Sequence, residues 1–149
     1  MDGERVRIWT VVSELFGQNS YVAALPDRKD CLVVDPGFDA ATLVKRLQSD
    51  RLTPAALLVT HGHADHIAGI ASLKSHWPDC PIIAGKNEAA KLIDPKLNLS
   101  RDFGFPIVSP AADVLVADEE NFTAAGMNLR VREIPGHSSG HVVFILETA

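Results

Sequence analysis

Residues 57–69 read LLVTHGHADHIAG, an apolar run followed by three histidines and one aspartate within six positions. The run AALLVT (residues 55–60) is typical of a fully buried strand, and it stops at His61. Imidazole rings gain little from crowding unless a positive charge lies among them. The stretch therefore predicts a buried strand that ends in a metal-binding loop.

The spacing within this loop favours two neighbouring metal positions. Gly62 allows a sharp backbone turn between His61 and His63, so both rings can point at one ion. Asp65 and His66 lie at the start of a predicted helix and project from another backbone direction, so they can serve a second position. This mixed nitrogen and oxygen set suits zinc, and it also suits iron or manganese. The alternative is a polar loop whose histidines are simply solvated. It would account for a single histidine but not for four potential ligands within six positions.

A further ligand is expected from EIPGHSSGHVV (residues 133–143). His137 follows the predicted strand LRVREI and a Pro-Gly turn, and it is the expected third ligand of the first metal. His141 begins the next strand and is expected to support the site rather than to bind metal. Asp35 ends the run CLVVD. It either initiates a turn or accepts a hydrogen bond from a ligating histidine, which needs its second nitrogen held.

Composition narrows the class of protein. The 149 residues, 46% apolar and 22% charged, predict one globular domain over residues 1–149. A net charge of −5 without a basic run disfavours a nucleic-acid partner. No apolar run approaches the length of a membrane span, and the charged start MDGERVRIW lacks a signal-peptide pattern, so a cytoplasmic location is expected. The isolated Cys31 and Cys80 are expected to be reduced core residues.

Alternating elements predict an α/β architecture with mixed sheets. Strands fill the first third of the chain, followed by a helix whose N-cap is Asp39, the buried strand, and a second helix over residues 65–76. Residues 94–112 are rich in Pro, Asn, Ser and Asp and predict a long loop that borders the substrate opening. A hairpin that turns near Gly126 and a final apolar strand close the pattern.

The motifs carry a family resemblance. LLVTHGHADHIAG resembles the H-x-H-x-D-H signature of the metallo-β-lactamase superfamily, and VVDPG (residues 33–37) and IPGHSSGHVV (residues 134–143) resemble its first and third motifs. Within the superfamily, the chain is most similar to glyoxalase II-like hydrolases of the hydroxyacylglutathione hydrolase type. The similarity covers essentially the whole chain.

This resemblance implies a four-layered αββα sandwich with a metal site at one edge of its two sheets. It assigns His61, His63 and His137 to the first metal and Asp65 and His66 to the second. Asp35 matches the aspartate of the first motif.

The family has two further features that this sequence, which ends with HVVFILETA (residues 141–149), does not contain. They are an aspartate that bridges both metals and a last histidine on the second metal. We therefore expect a sandwich that lacks its C-terminal elements and holds at most about one zinc ion per chain. We also expect an exposed apolar surface on the second sheet, through which two chains associate.

The leading functional hypothesis is a metal-dependent hydrolase of a small-molecule substrate, with a metal-bound hydroxide as nucleophile and Asp65 as the catalytic residue that orients it. The expected substrate is a thioester rather than a lactone, a β-lactam or a phosphoester, because the motifs are glyoxalase II-like. Loss of the bridging aspartate and last histidine predicts weak activity. One alternative is a non-catalytic domain that binds metal or a partner. Another is a mononuclear iron enzyme of the persulfide dioxygenase type.

Overall fold

Two β-sheets are formed by residues 5–147, the part of the chain that the computed structural model describes. The strands are β1 (Arg7–Val12), β2 (Asn19–Ala24), β3 (Asp30–Val34), β4 (Thr53–Val59), β5 (Ile82–Gly85), β6 (Val114–Val116), β7 (Asn121–Ala124), β8 (Met127–Glu133) and β9 (Val142–Glu147). The helices are α1 (Ala40–Ser49), α2 (Ala64–Ile67), α3 (Ile70–His76) and α4 (Ala89–Ile93). A short 3₁₀ turn at Arg101–Phe103 is the regular part of the predicted loop over residues 94–112.

The larger sheet has the strand order β1-β2-β3-β4-β5-β6. Strands β1 to β3 pair antiparallel, whereas β3 to β6 pair parallel. Strand β4 is buried on both faces, since Leu57 and Val59 pack with the helices and Leu58 packs toward the second sheet. Burial on both faces explains why this strand is an uninterrupted apolar run.

The helix predicted over residues 65–76 is interrupted, which corrects that expectation. It divides into α2 and α3 at Gly69, whose N–H donates to the carbonyl of Pro36 at 2.8 Å. A Cβ atom at Gly69 would lie 2.3 Å from the carbonyl oxygen of Gly37. The break therefore lets this segment lie directly against the turn that follows β3.

Asp39 occupies the N-cap position of α1, but its side chain makes no capping bond. Its Oδ2 accepts a hydrogen bond from the N–H of Glu14 at 3.0 Å instead. The aspartate thus ties the helix start to the β1–β2 connection.

The smaller sheet is the antiparallel set β7-β8-β9. Its hairpin turns through Ala125 and Gly126, whose φ values of 50° and 74° fit a tight two-residue turn. Met127, Leu129 and Val131 face the larger sheet and form the second core with it. The first core lies between the larger sheet and the helices. Three layers of the expected sandwich are therefore present: helices, sheet and sheet.

The outer face of the smaller sheet is more polar than predicted. Arg130 and Arg132 alternate with the inward residues of β8, and both form ion pairs with Glu119. Ile145 on β9 is an apolar residue exposed on this sheet, with 41% of its surface accessible. The exposed apolar surface predicted on this sheet is therefore limited to positions such as Ile145, because charged side chains interleave with the aliphatic ones. No helix covers this face within residues 5–147.

The two cysteines are buried and free, as predicted. Burial raises the pKa of Cys31 to about 12 and that of Cys80 to about 11, so both are protonated thiols at neutral pH. Among residues 5–147, no helix has both the length and the apolar character needed to cross a lipid bilayer.

The parallel strands β3, β4 and β5 all end at one edge of the larger sheet. Asp35, His61 and Glu88 follow these three strand ends in turn. The connection between β8 and β9 reaches the same edge, because the N–H of Val142 donates to the carbonyl of Thr60 at 2.9 Å. Side chains separated by up to about a hundred residues in sequence meet here.

Candidate metal centre

Three histidines from two loops converge at this edge. One ring nitrogen from each of His61, His63 and His137 lies within 4.8 Å of the others. His63 Nδ1 and His137 Nε2 are 3.2 Å apart. His61 is buried, whereas His63 is half-buried and His137 is exposed. The group therefore opens to solvent on one side, which is where a substrate would approach.

The tautomer of His61 follows from its neighbours. The hydroxyl of Thr60 donates its proton to Asp35 Oδ2, and its oxygen lies 3.0 Å from His61 Nδ1. The hydroxyl can then only accept from His61, so Nδ1 carries the proton and Nε2 keeps its lone pair. Within the described chain, His61 Nε2 is buried without a hydrogen-bond partner.

A metal ligand needs a nitrogen with a free lone pair, and His61 Nε2 has one. Burial, and then the neighbouring imidazoles beginning with His66, lower the pKa of His61 to about 3. The ring is therefore neutral at physiological pH and can donate its lone pair. An unpaired buried nitrogen costs free energy, and a divalent ion among the three rings would remove that cost. The residues present fit a metal ion.

Asp35 supports two of the histidines. Its Oδ1 accepts from the N–H of Thr60 at 2.7 Å, and its Oδ2 lies 2.9 Å from His66 Nδ1. Asp35 itself has φ of 49°, a left-handed conformation that aspartate tolerates better than most residues. Its carbonyl accepts bonds from Ser20 and Gln18, which hold the strained turn.

Asp65 and His66 lie beside the three-histidine group. Asp65 Oδ2 is 3.6 Å from His66 Nε2, so one ion could contact both. Burial acts to lower the pKa of His66, but the hydrogen bond and the charge of Asp35 outweigh it and raise the pKa above its usual value. Asp35, His61 and His66 form a second group whose potential ligand atoms lie close together. Hydrogen bonds, two of them through Thr60, explain this closeness, and the lone pairs of the group do not converge on one point.

His141 packs against the same cluster. Its ring centroid lies 4.6 Å from that of His61 and 6.2 Å from that of His137. Burial lowers the pKa of His141, which favours the uncharged ring near the other imidazoles. It lies outside the three-histidine group and forms part of its wall.

Glu88 is the site residue that the sequence interpretation missed. This carboxylate is fully buried, and it accepts from the N–H groups of Gly62 and Gly140 at 2.7 Å each. The Ser138 hydroxyl donates to it at 2.8 Å and Lys91 at 2.6 Å. A signal was available: Glu88 follows β5, whose end meets those of β3 and β4.

An aromatic pocket adjoins the centre. Its lining includes His63, Asp65 and four phenylalanines that contact one another at centroid distances of 5.4 to 6.0 Å: Phe16, Phe38, Phe103 and Phe105. The cavity measures about 200 Å³. Phe103 and Phe105 come from the predicted loop over residues 94–112, so this loop lines the pocket beside the metal centre, and its role at a substrate opening stays a prediction.

Comparisons with known proteins agree with this geometry. The profile of the Metallo-beta-lactamase superfamily matches residues 14–149. A hydroxyacylglutathione hydrolase of Yersinia pestis is 34% identical over 128 residues, which are 85% of this chain and 43% of that protein. The homologous enzyme of Yersinia enterocolitica is 29% identical over the same length. This chain thus spans less than half the length of these curated relatives.

Solved structures show the same fold. The crystal structure of BLEG-1, a B3 metallo-beta-lactamase, superposes with a TM-score of 0.87 at 33% identity over 94% of this chain and 67% of that one. ETHE1 from Myxococcus xanthus superposes with a TM-score of 0.72 at 16% identity over 94% of this chain and 53% of that one. With its signature histidines gathered at one edge of two packed sheets, the chain belongs to the metallo-β-lactamase superfamily.

Proposed function

We propose that this chain carries the zinc-binding centre of a glyoxalase II-like hydrolase that cleaves a thioester or a similar ester or lactone. The observation that carries the proposal is the converging set of His61, His63 and His137, with His61 Nε2 buried and free of a partner in the described residues. Three imidazole nitrogens with an open fourth direction are the ligand set of many catalytic zinc sites.

When bound, a divalent ion would supply a water of lowered pKa as the nucleophile and would polarise the substrate carbonyl. The chain's own residues would orient this water and accept its proton. Asp65, whose Oδ2 lies 3.6 Å from His66 Nε2, would accept a proton from an incoming water and orient it. His66, held by Asp35, lies at the same opening.

The phenylalanine pocket would receive the apolar part of the substrate. The pocket shares His63 and Asp65 with the metal centre. A substrate group bound among the phenylalanine rings would therefore place the adjacent substrate carbonyl near the metal-binding histidines. The volume of about 200 Å³ favours a compact apolar substituent over a long chain. The buried free thiols favour a reducing compartment, and we propose the cytoplasm.

Hydrolysis of a panel of thioesters, esters and lactones by the zinc-loaded protein tests this function. We expect turnover that requires zinc and is lost in His61→Ala, while the control His76→Ala, an exposed histidine at the end of α3, retains it. Equal turnover by His61→Ala would refute the proposed site. Zinc binding without turnover on any substrate would favour the non-catalytic alternative, and oxygen-dependent activity of an iron-loaded form would favour the dioxygenase alternative.

A further inference from the structure

We propose that Glu88 is a positioning residue for the metal-binding histidines. Its carboxylate holds the loop that carries His61 and His63 against the loop that carries His137, and so sets the spacing of the three rings before any metal binds. This inference rests on the proposed metal centre but concerns a residue that would not touch the ion.

The contacts place Glu88 between the two loops. Oε2 accepts from the N–H of Gly62, the residue between His61 and His63. Oε1 accepts from the N–H of Gly140, and the hydroxyl of Ser138 lies 2.8 Å from both oxygens. One side chain thus fixes the backbone on both sides of the cluster.

Close packing at two glycines brings the loops onto the start of α4. A Cβ atom at Gly62 would lie 2.5 Å from Cβ of Lys91, and one at Gly140 would lie 2.8 Å from the backbone carbon of Asn87. Neither contact leaves room for a side chain without a backbone shift. Both loops therefore lie directly against the segment that carries Glu88, and the N–H of each glycine donates to its carboxylate.

The energetics favour a rigid arrangement. Glu88 is completely buried, and a buried carboxylate is stable only when charge and hydrogen bonds replace its lost hydration. Lys91 supplies the charge at 2.6 Å, and the loops supply the donors. Opening either loop would leave acceptors of a buried anion unfilled, so the carboxylate penalises any movement that separates the histidines.

Glu88→Gln is the sharpest substitution, because it keeps the shape and changes the donor pattern. The Oε1 position faces the N–H of Gly140, and the Oε2 position faces the N–H of Gly62. In either orientation, the amide nitrogen of glutamine points at a backbone donor. One loop must therefore move away, whichever rotamer the glutamine adopts.

Three measurements on the whole chain test the proposal: zinc affinity, amide hydrogen exchange and the visible spectrum of the cobalt-loaded site. The first is zinc affinity of the metal-free protein, measured by competition with a chelating indicator. We expect Glu88→Gln to weaken binding by about tenfold or more, the range seen when residues that orient metal ligands are replaced. The second is amide hydrogen exchange without metal. We expect faster exchange at Gly62 or Gly140, together with an altered visible spectrum of the cobalt-loaded site.

Matched controls separate positioning from general stability. Glu120→Gln makes the same chemical change at an exposed residue whose carboxylate accepts from the N–H of Ala117. Leu47→Ala removes a fully buried side chain in the first core and lowers stability without touching either loop. We expect both controls to bind zinc as the wild type does. Ser138→Ala, which removes one hydroxyl donor, should weaken zinc binding to a smaller extent and serves as the test if Glu88→Gln does not fold.

Unchanged zinc affinity and unchanged exchange in a folded Glu88→Gln protein would overturn the proposal, as would an equal loss of affinity in Leu47→Ala at matched stability. A wild-type protein that binds no zinc would instead overturn the proposed function. The two failures are therefore distinguishable.

Discussion

The hydroxyl of Thr60 donates a hydrogen bond of 2.6 Å to Oδ2 of Asp35. Since that hydroxyl has one proton, its oxygen can only accept from His61 Nδ1, which lies 3.0 Å away. The buried strand end thus fixes which nitrogen of His61 carries the proton. The other nitrogen is left with its lone pair toward the cluster.

Replacing this hydroxyl should weaken metal binding. Thr60→Val keeps the shape of the side chain but removes both hydrogen bonds, so neither the tautomer nor the ring angle of His61 is held. We expect a loss of about 10- to 100-fold in zinc affinity, measured by competition with a chelator. Thr60→Ser retains the hydroxyl and should bind zinc nearly as well as the wild type. Equal affinities for the valine and serine variants would contradict the role of Thr60.

Acid should destabilise the metal-free protein partly through Glu88. Burial acts to raise the pKa of Glu88, but hydrogen bonds from Lys91, Gly62 and the donors of the second loop outweigh it and hold the pKa below its ordinary value of 4.5. The resulting stabilisation is complete above the unfolded pKa and is lost as pH falls through the folded pKa.

Glu88→Gln should therefore show a flatter decline of melting temperature below about pH 4.5 than the wild type, since it has no proton to gain there. Thermal unfolding across pH 3 to 7, followed by circular dichroism, measures this. Glu120→Gln is the control. Parallel curves for Glu88→Gln and the wild type would show that folding does not lower the pKa of Glu88, and they would contradict this prediction.

The aromatic pocket should set substrate preference. Phe103→Ala removes an exposed ring from the pocket and leaves the core intact. We expect KM for thioesters with a compact apolar acyl group to rise by about threefold to tenfold, because part of an apolar contact is lost. Acetyl thioesters should be affected little. Ile8→Ala, an exposed residue on β1, is the control. A KM change that is the same for both substrates would argue against a pocket for the acyl group.

The edge of the smaller sheet should support self-association. Strand β9 pairs with β8 alone within the described residues, so its other edge carries unpaired backbone groups. We expect a concentration-dependent dimer in sedimentation experiments on this chain. Ile145→Lys places a charge on that strand and should shift the equilibrium toward monomer. A wild-type protein that remains monomeric at high concentration would refute this expectation.

Local patterns predicted the parts of the molecule that depend on neighbouring residues. The apolar run that ends at Val59 is buried on both faces, and the turn at Gly126 lies where the hairpin was expected. The family and its fold followed from the histidine signature, and the structure brings His61, His63 and His137 together.

Features that depend on distant contacts were not visible in the sequence. Gly69 breaks the helix because the turn after β3 lies against it, whereas a single glycine in a helical pattern lowers helix propensity without by itself predicting a break. Strand β6 was missed because Val114 and Leu115 are exposed and only three residues pair with β5. Glu88 follows the end of β5, but only the sheet order shows that this position lies between two loops that are far apart in sequence.

Metal titration of the metal-free chain tests the central claim most directly. The account predicts one tightly bound zinc ion per chain, because three histidines form one complete set and, among residues 5–147, Asp65 with His66 offers only two ligands beside it. Binding should disappear in His61→Ala and persist in His76→Ala. Absence of tight binding to the wild type, or the same stoichiometry and affinity in His61→Ala, would contradict the account.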